Sequence, residues 1–378
     1  MELELNPLRI LERLVSFRSI VGRSNLDIVE WVREFANSHG ADVSIVPGPE
    51  GDRANLFISI GPRNVPGIVL SGHLDVVPAV EAGWEGDPFI LRRKGERLYG
   101  RGTVDMKGFV ACALAALANL RSKRLTRPVH IALSYDEEAG CKGVPHLIAK
   151  LPRLCAPPES VIVGEPTGLV PVLAHKGKVA ARAVVRGKAG HSSRPDLGLN
   201  AIHAILPVLD TAVKEAQNLI KGPHDPNFEP PYSTLQIGTI RGGEAINIVP
   251  ENCILEMEAR AMFGVLPKRL LDPVEAALDR LRSEGFETSW EIVSSYPALR
   301  LDASTPLATQ LAGLTGKRPL PAVSFGTEAG LFQEAGLDAI VCGPGEIGRA
   351  HRPNEYITLP ELENCLVLIE AIGERLSE

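Results

Sequence analysis

At 378 residues the chain is longer than one hydrophobic core usually sustains, so two domains are expected. Its 44% hydrophobic and 23% charged residues are ordinary for a globular protein in water, and acidic and basic residues are interspersed to a net charge of −6. That balance excludes nucleic acid and anionic membranes as partners, since both call for concentrated Lys and Arg.

The N-terminal MELELNPLRI has no basic flank followed by an apolar core, so no export leader is expected. Asn6-Pro7 reads as N-cap and first helical position, with Leu8, Leu11, Leu14 and Val15 as the apolar stripe. A second helix follows Asp27 and stops near His39-Gly40. Strands are expected at Asp42 to Val46, Asn55 to Ile60 and Gly67 to Ser71, the last running into His73 and Asp75. After a Gly-rich, charged loop, Met106 to Leu120 has helical spacing and is apolar on most sides. Its longest apolar stretch, Phe109 to Leu120, falls short of the roughly 18 residues of a membrane span. Pro128 to Tyr135 is the next strand and delivers Asp136-Glu137-Glu138. A helix from Gly143 to Leu151 precedes a strand at Ser160 to Val163, which ends in Gly164-Glu165-Pro166-Thr167. Such alternation predicts an α/β fold with a mixed, mostly parallel sheet flanked by helices.

The pattern changes near Lys176. Val179 to Val185 alternates, a helix runs from about Leu199 to Ile220 with a bend at Pro207, and Thr234 to Ile240 and Cys253 to Glu258 follow as strands. Asp272-Pro273 with Glu275 is read as the cap of another helix. This β-α-β-β-α-β order is the ferredoxin-like split motif. After about Trp290 the α/β alternation resumes, with helices at Pro306 to Leu314, Gly326 to Ala335 and Glu361 to Leu376, and a strand at Asp338 to Val341. The expected organisation is a catalytic domain of residues 1–176 and 291–378, interrupted by an inserted α+β domain of residues 177–290. The six cysteines are scattered, without a C-x-x-C pair, as suits a reducing cytoplasm.

Catalytic zinc sites use His nitrogen and carboxylate oxygen, whereas structural sites are rich in Cys. His73, Asp105, Glu138, Glu165 and His351 are all of the first kind, placed where the carboxyl edge of a sheet gathers side chains. Two imidazoles and three carboxylates suit two divalent cations with one bridging carboxylate and a hydroxide between them. A base must take and return the proton, and Glu137 stands beside a ligand to do so. The residues alone leave Glu137 and Glu138 interchangeable.

In order along the chain, GHLDVVP (72–78), GRGTVDMKG (100–108), SYDEEAG (134–140), GEPT (164–167) and AGHSS (189–193) resemble the zinc aminoacylase and carboxypeptidase family. FGTEAG (325–330) and CGPGEIGRAHRPNEY (342–356) resemble its acetylornithine deacetylase branch. The resemblance implies a first metal held by His73, Glu165 and bridging Asp105, and a second held by Asp105, Glu138 and His351. The ions would be Zn²⁺ or Co²⁺. It implies Glu137 as general base and acid, and Asp75 as the acceptor that orients the His73 ring. It further implies a lid and dimerisation domain, with His191 acting in the partner's active site on the oxyanion, and Asn247 and Arg260 on the substrate carboxylate. The chain departs from the family after Arg260, reading Ala261-Met262-Phe263-Gly264 in place of a short Pro-Gly segment. Thr327 and Glu328 are placed at the pocket, where a carboxylate would attract a substrate's side-chain ammonium, or else at a helix start.

The expected activity is removal of the acyl group from a small N-acyl amino acid, with N2-acetylornithine favoured, as in arginine biosynthesis. Succinyl-diaminopimelate, another N-acyl amino acid and a dipeptide are the alternatives, because the metal residues are the same for all. An inactive ligand-binding relative is the reading from another class, against which an intact ligand set with Glu137 speaks.

Overall fold

Asn6 starts the first helix, α1 (Pro7–Ser16): its side chain accepts the Leu8 N–H while Pro7 fills a position that needs no N–H partner. Ile10, Leu11, Leu14 and Val15 form its buried face, and α2 (Leu26–Ser38) buries Ile28, Val29, Val32 and Ala36 in the same core. The computed structural model describes residues 6–80 and 82–377 and divides the chain into two compact units. The first comprises Met1–Ala174, Arg300–Pro321 and Thr327–Glu378, and the second His175–Leu299 and Ala322–Gly326.

In the first unit β1 (Asp42–Pro47) pairs antiparallel with β2 (Ala54–Ile60). β3 (Ile68–His73) leads through a wide helical turn at Thr103–Lys107 into α3 (Gly108–Ala115), every residue of which is buried. The whole helical run Thr103–Ser122 is, by length and composition, apolar enough to cross a membrane, longer than the stretch expected from the sequence. Its most apolar window is 89% buried inside the protein, which makes it a core helix. β4 (Val129–Ser134) and β5 (Ser160–Pro166) follow, and both are buried throughout, as strands covered on two faces must be.

In the second unit β6 (Gly177–Arg186), α4 (Leu206–Leu219), β7 (Thr234–Gly242), β8 (Asn252–Ala261), α5 (Asp272–Arg280) and β9 (Glu287–Tyr296) succeed one another. The strands form an antiparallel sheet in the order β7-β8-β6-β9, the ferredoxin-like arrangement. Val179, Ala181, Ala183 and Val185 on alternate positions of β6 supply its core. The expected 290/291 boundary falls inside β9, which this sheet needs as its fourth strand.

The chain then returns to the first unit with α6 (Pro306–Thr315), α7 (Ala329–Glu334), β10 (Asp338–Gly343) and α8 (Leu359–Arg375). Its sheet runs β1-β2-β4-β3-β5-β10, with β4, β3, β5 and β10 parallel and β1 and β2 antiparallel at one side. Thr358 and Glu361 close a reciprocal capping box at the start of α8.

Some local expectations fail for clear reasons. The helix expected over 199–220 divides into Ala201–Ala204 and α4, because Pro207 has no N–H to return to the preceding turn. The one expected over 143–151 is two short pieces, Val144–Ile148 and Leu151–Leu154, each with Pro in its first turn. Asp272 makes no side-chain cap; it is the first residue of α5 behind a turn at Pro267–Leu271.

Candidate metal centre

Three parallel strands end side by side, and the residues at their carboxyl ends converge. His73 is the last residue of β3, Glu165 lies at the end of β5, and Glu137 and Glu138 sit in the turn that follows β4. Asp105 comes from the wide turn ahead of α3, where its φ of −125° and ψ of 92° are not helical, and the N-cap position of α3 is occupied by Lys107. His351 arrives from the loop after β10, with φ of 58°.

The first unit brings all five candidate ligands together. His73 Nε2 is 3.1 Å from Asp105 Oδ1 and 3.7 Å from Glu165 Oε1. His351 Nε2 is 3.2 Å from Asp105 Oδ2 and 3.0 Å from Glu138 Oε1. Asp105 thus offers one oxygen to each imidazole, the geometry of a bridging carboxylate. Ligand atoms of His73, Asp105 and Glu138 lie within 4.8 Å of one another, as do those of His73, Glu137 and Glu165.

Charge tests whether a cation fits. His73 Nδ1 is 2.9 Å from the Asp75 carbonyl, which can only accept, so Nδ1 carries a proton and Nε2 is left facing Asp105 and Glu165. Burial works against a charged His73 ring, but the hydrogen bond with Asp105 and the charges of Asp75, Glu165 and Asp105 outweigh it and raise the imidazole well above its usual range, so Nε2 faces a site that favours positive charge. The titration shifts report the same crowding. Burial, and then Asp105 and Glu137, push the Glu165 carboxyl well above its usual range. Hydrogen bonds to Asp105 and Glu138 raise His351 to about 10. Burial opposes ionisation of Asp105, but hydrogen bonds with His351 and His73 outweigh it and hold its carboxyl well below the usual range. Nitrogen and oxygen donors without sulfur, crowded with negative charge, suit a borderline or hard divalent cation.

The roles of neighbouring groups are less symmetrical than their sequence. Glu138 points to His351, whereas Glu137 Oε1 lies 3.2 Å from the Cys141 thiol, which donates to it. Burial, followed by the nearby Glu138, Asp75 and Glu328 carboxylates and opposed by His73, raises Glu137 to about 8. Asp75 differs from expectation. It is the Asp75 carbonyl that meets the His73 ring, its carboxylate standing 3.6 Å off. That carboxylate instead accepts the main-chain N–H groups of Glu137 and Glu138, each at 3.1 Å, and burial raises it to about 7.

Glu355 performs a matching task for Asp105 and was not singled out in the sequence, although it lies four residues past His351 in a segment that was. Its carboxylate accepts the N–H of Val104 at 3.0 Å and of Asp105 at 3.3 Å, and pairs with buried Arg101 at 2.9 Å. Thr327 accepts the Ala329 N–H through Oγ1 at the start of α7, in keeping with a helix start. Glu328 is 1% exposed, and its two oxygens accept from Ser71 and Ser134 rather than facing solvent.

His191, Asn247 and Arg260 belong to the second unit. His191 is exposed, and its Nδ1 accepts the Ser193 N–H at 3.2 Å, so the neutral ring carries its proton on Nε2. Asn247 is exposed and its carbonyl receives the Ser192 N–H. Arg260 is partly buried, bonded through Nε to Glu258 at 2.7 Å and through Nη1 to the Tyr296 hydroxyl at 3.1 Å.

Comparison with known proteins agrees with this architecture. The profile of peptidase family M20/M25/M40 matches residues 69–375. An acetylornithine deacetylase of Photorhabdus laumondii is 32% identical over 369 residues, covering 95% of this chain and 94% of its own. One from Myxococcus xanthus is 38% identical over 310 residues, covering 81% and 79%. An M20 family metallo-carboxypeptidase from Sulfolobus solfataricus has the same fold, with a TM-score of 0.81 at 19% identity over 98% of this chain and 99% of its own. The chain is a metal-dependent hydrolase and belongs to peptidase family M20/M25/M40.

Proposed function

We propose that this hydrolase removes the acyl group from N-acyl amino acids, with N2-acetylornithine as the favoured substrate and ornithine and acetate as products, a step of arginine biosynthesis. The observation that carries the reading is Asp105, with one carboxylate oxygen directed at each of two imidazoles. His73, Asp105 and Glu165 would hold one divalent ion, and Asp105, Glu138 and His351 a second, Zn²⁺ or Co²⁺. When bound, the two cations supply an activated water and polarise the amide carbonyl.

The protein's own groups divide the remaining work. Glu137 takes the proton from the attacking water and passes it to the departing amine. Its separation from the ligands is supported by the Cys141 thiol, which occupies Oε1, while Glu138 is engaged with His351. Asp75 holds both main-chain N–H groups of that pair and so keeps the base and the ligand in fixed register. His191, with its proton on Nε2, is the oxyanion donor, and in a homodimer it serves the partner's site. Arg260, made rigid by Glu258 and Tyr296, and Asn247 receive the substrate carboxylate. Six free cysteines suit the reducing cytoplasm.

The choice of substrate is supported by the acetylornithine deacetylases that match most of the chain. A hydrolysis screen tests it, using N2-acetylornithine, other N-acetyl amino acids, N-succinyl-diaminopimelate and dipeptides with added Zn²⁺ or Co²⁺. The highest kcat/KM is expected for N2-acetylornithine. A preference outside the acetylated amino acids would overturn the substrate and leave the family intact.

A further inference from the structure

Buried carboxylates without a cationic partner are costly, and a pair of serines with an acid is a poor way to stabilise a sheet. Glu328 is a buried carboxylate that pairs with no Lys or Arg among the described residues, and none of the steps above uses it. It stands at the start of α7 and is buried, with Oε1 2.6 Å from Ser71 Oγ and Oε2 2.8 Å from Ser134 Oγ. Both hydroxyls donate, since an ionised carboxylate only accepts.

The positions of those two serines make the arrangement specific. Ser71 lies on β3 two residues before His73, so both side chains leave the same face of the sheet. Ser134 ends β4 in parallel register directly beside His73, three residues before Glu137. The two oxygens of Glu328 therefore bridge the ends of adjacent strands, one carrying a candidate metal ligand and the other leading to the candidate base. The ladder sets which residues stand side by side, and the two hydroxyl contacts add a side-chain tie between the strand ends.

We propose that Glu328 is a positioning residue: by accepting from Ser71 and Ser134 at once, it sets the distance between the His73 imidazole and the Glu137–Glu138 turn. The inference rests on the metal and base assignments above. It replaces the expectation that Glu328 binds a substrate ammonium.

The test uses the full chain, with Glu328→Gln and the Ser71→Ala/Ser134→Ala double variant. Gln keeps the shape but opposes a donor to one hydroxyl, and the double variant keeps the acid but removes both tethers. Zn²⁺ affinity is measured by competition with a chromogenic chelator, and kcat and KM are measured on N2-acetylornithine and on N-acetylnorvaline, which lacks the ammonium. Both variants should bind Zn²⁺ about tenfold more weakly and lose kcat by about tenfold on both substrates, with KM little changed. Wild-type affinity and kcat, with only a lower melting temperature, would overturn the proposal. So would a loss confined to KM for N2-acetylornithine, which would restore the substrate-contact role. Should the wild type prefer another substrate, the Zn²⁺ titration decides the point independently of the proposed activity.

Discussion

Replacing Asp75 by Asn separates two jobs that the residue was expected to combine. If it served only to aim the His73 ring, Asn would be tolerated, because the 2.9 Å contact to that ring comes from the main-chain carbonyl, which the substitution leaves in place. The carboxylate, however, accepts two N–H groups at 3.1 Å, from Glu137 and Glu138. An Asn amide can accept only one of them and turns an NH₂ toward the other. A hydrogen bond to a charged acceptor contributes about 1.5–3 kcal/mol, and an unpaired buried N–H costs about 1–3 kcal/mol. Taking the low end of each gives about 2.5 kcal/mol against the arranged turn, which corresponds to roughly 70-fold in kcat at about 1.36 kcal/mol per tenfold. Steady-state kinetics on the preferred substrate, alongside chelator competition for Zn²⁺ and a melting curve, measures where the loss falls. A variant with kcat within about threefold of wild type would refute the assignment of Asp75 to the turn.

Glu137→Gln should retain wild-type metal content by elemental analysis and lose nearly all turnover; an active variant removes Glu137 as the base. Mixed His191→Ala and Glu137→Ala subunits should regain activity as hybrid dimers, and no recovery after confirmed subunit exchange would exclude action on the partner's site. Arg101→Met leaves Glu355 as an uncompensated buried charge and should cost about 3–5 kcal/mol in urea unfolding, with weaker Zn²⁺ retention, because Glu355 holds the turn that carries Asp105. His130 gives a pH signature away from the metal residues. It is buried beside Ser59 Oγ, and burial, with a smaller effect of Arg63, drops its pKa to about 4. The unfolded chain, with a pKa near 6.5, therefore binds the proton first as pH falls. The stability from neutral His130 is complete above about pH 6.5 and declines by about 3 kcal/mol toward pH 4. His130→Gln should show a smaller drop in urea midpoint between pH 7 and pH 4.5, and an equal drop would refute the shift.

The sequence makes legible what depends on residue type and local period. His73, Asp105, Glu138, Glu165 and His351 stand out because ligating side chains recur where apolar runs end. The ferredoxin-like order of the second unit follows from alternation at Val179 to Val185 and from the strands and helices after it. Hidden from the sequence are groups whose partners are main-chain N–H or distant hydroxyls. Nothing in the letters tells that Asp75 reaches the amides of Glu137 and Glu138, or that Glu355 reaches those of Val104 and Asp105. Glu328 reads as a pocket acid until the fold brings Ser71 and Ser134 to it. The different surroundings of Glu137 and Glu138, the Cys141 thiol for one and His351 for the other, are likewise beyond what period or composition could assign.

The interrupted chain of the first unit has a consequence for synthesis on the ribosome. β10 pairs with β5 at the edge of the sheet, and His351 supplies the second imidazole to Asp105, yet both lie beyond the entire inserted unit. A nascent chain that has emerged only as far as residue 300 thus presents β5 as an open, apolar edge and lacks His351 from its ligand set. A polypeptide that stops short of β10 lacks the second imidazole beside Asp105 and leaves that edge unshielded from a neighbouring chain.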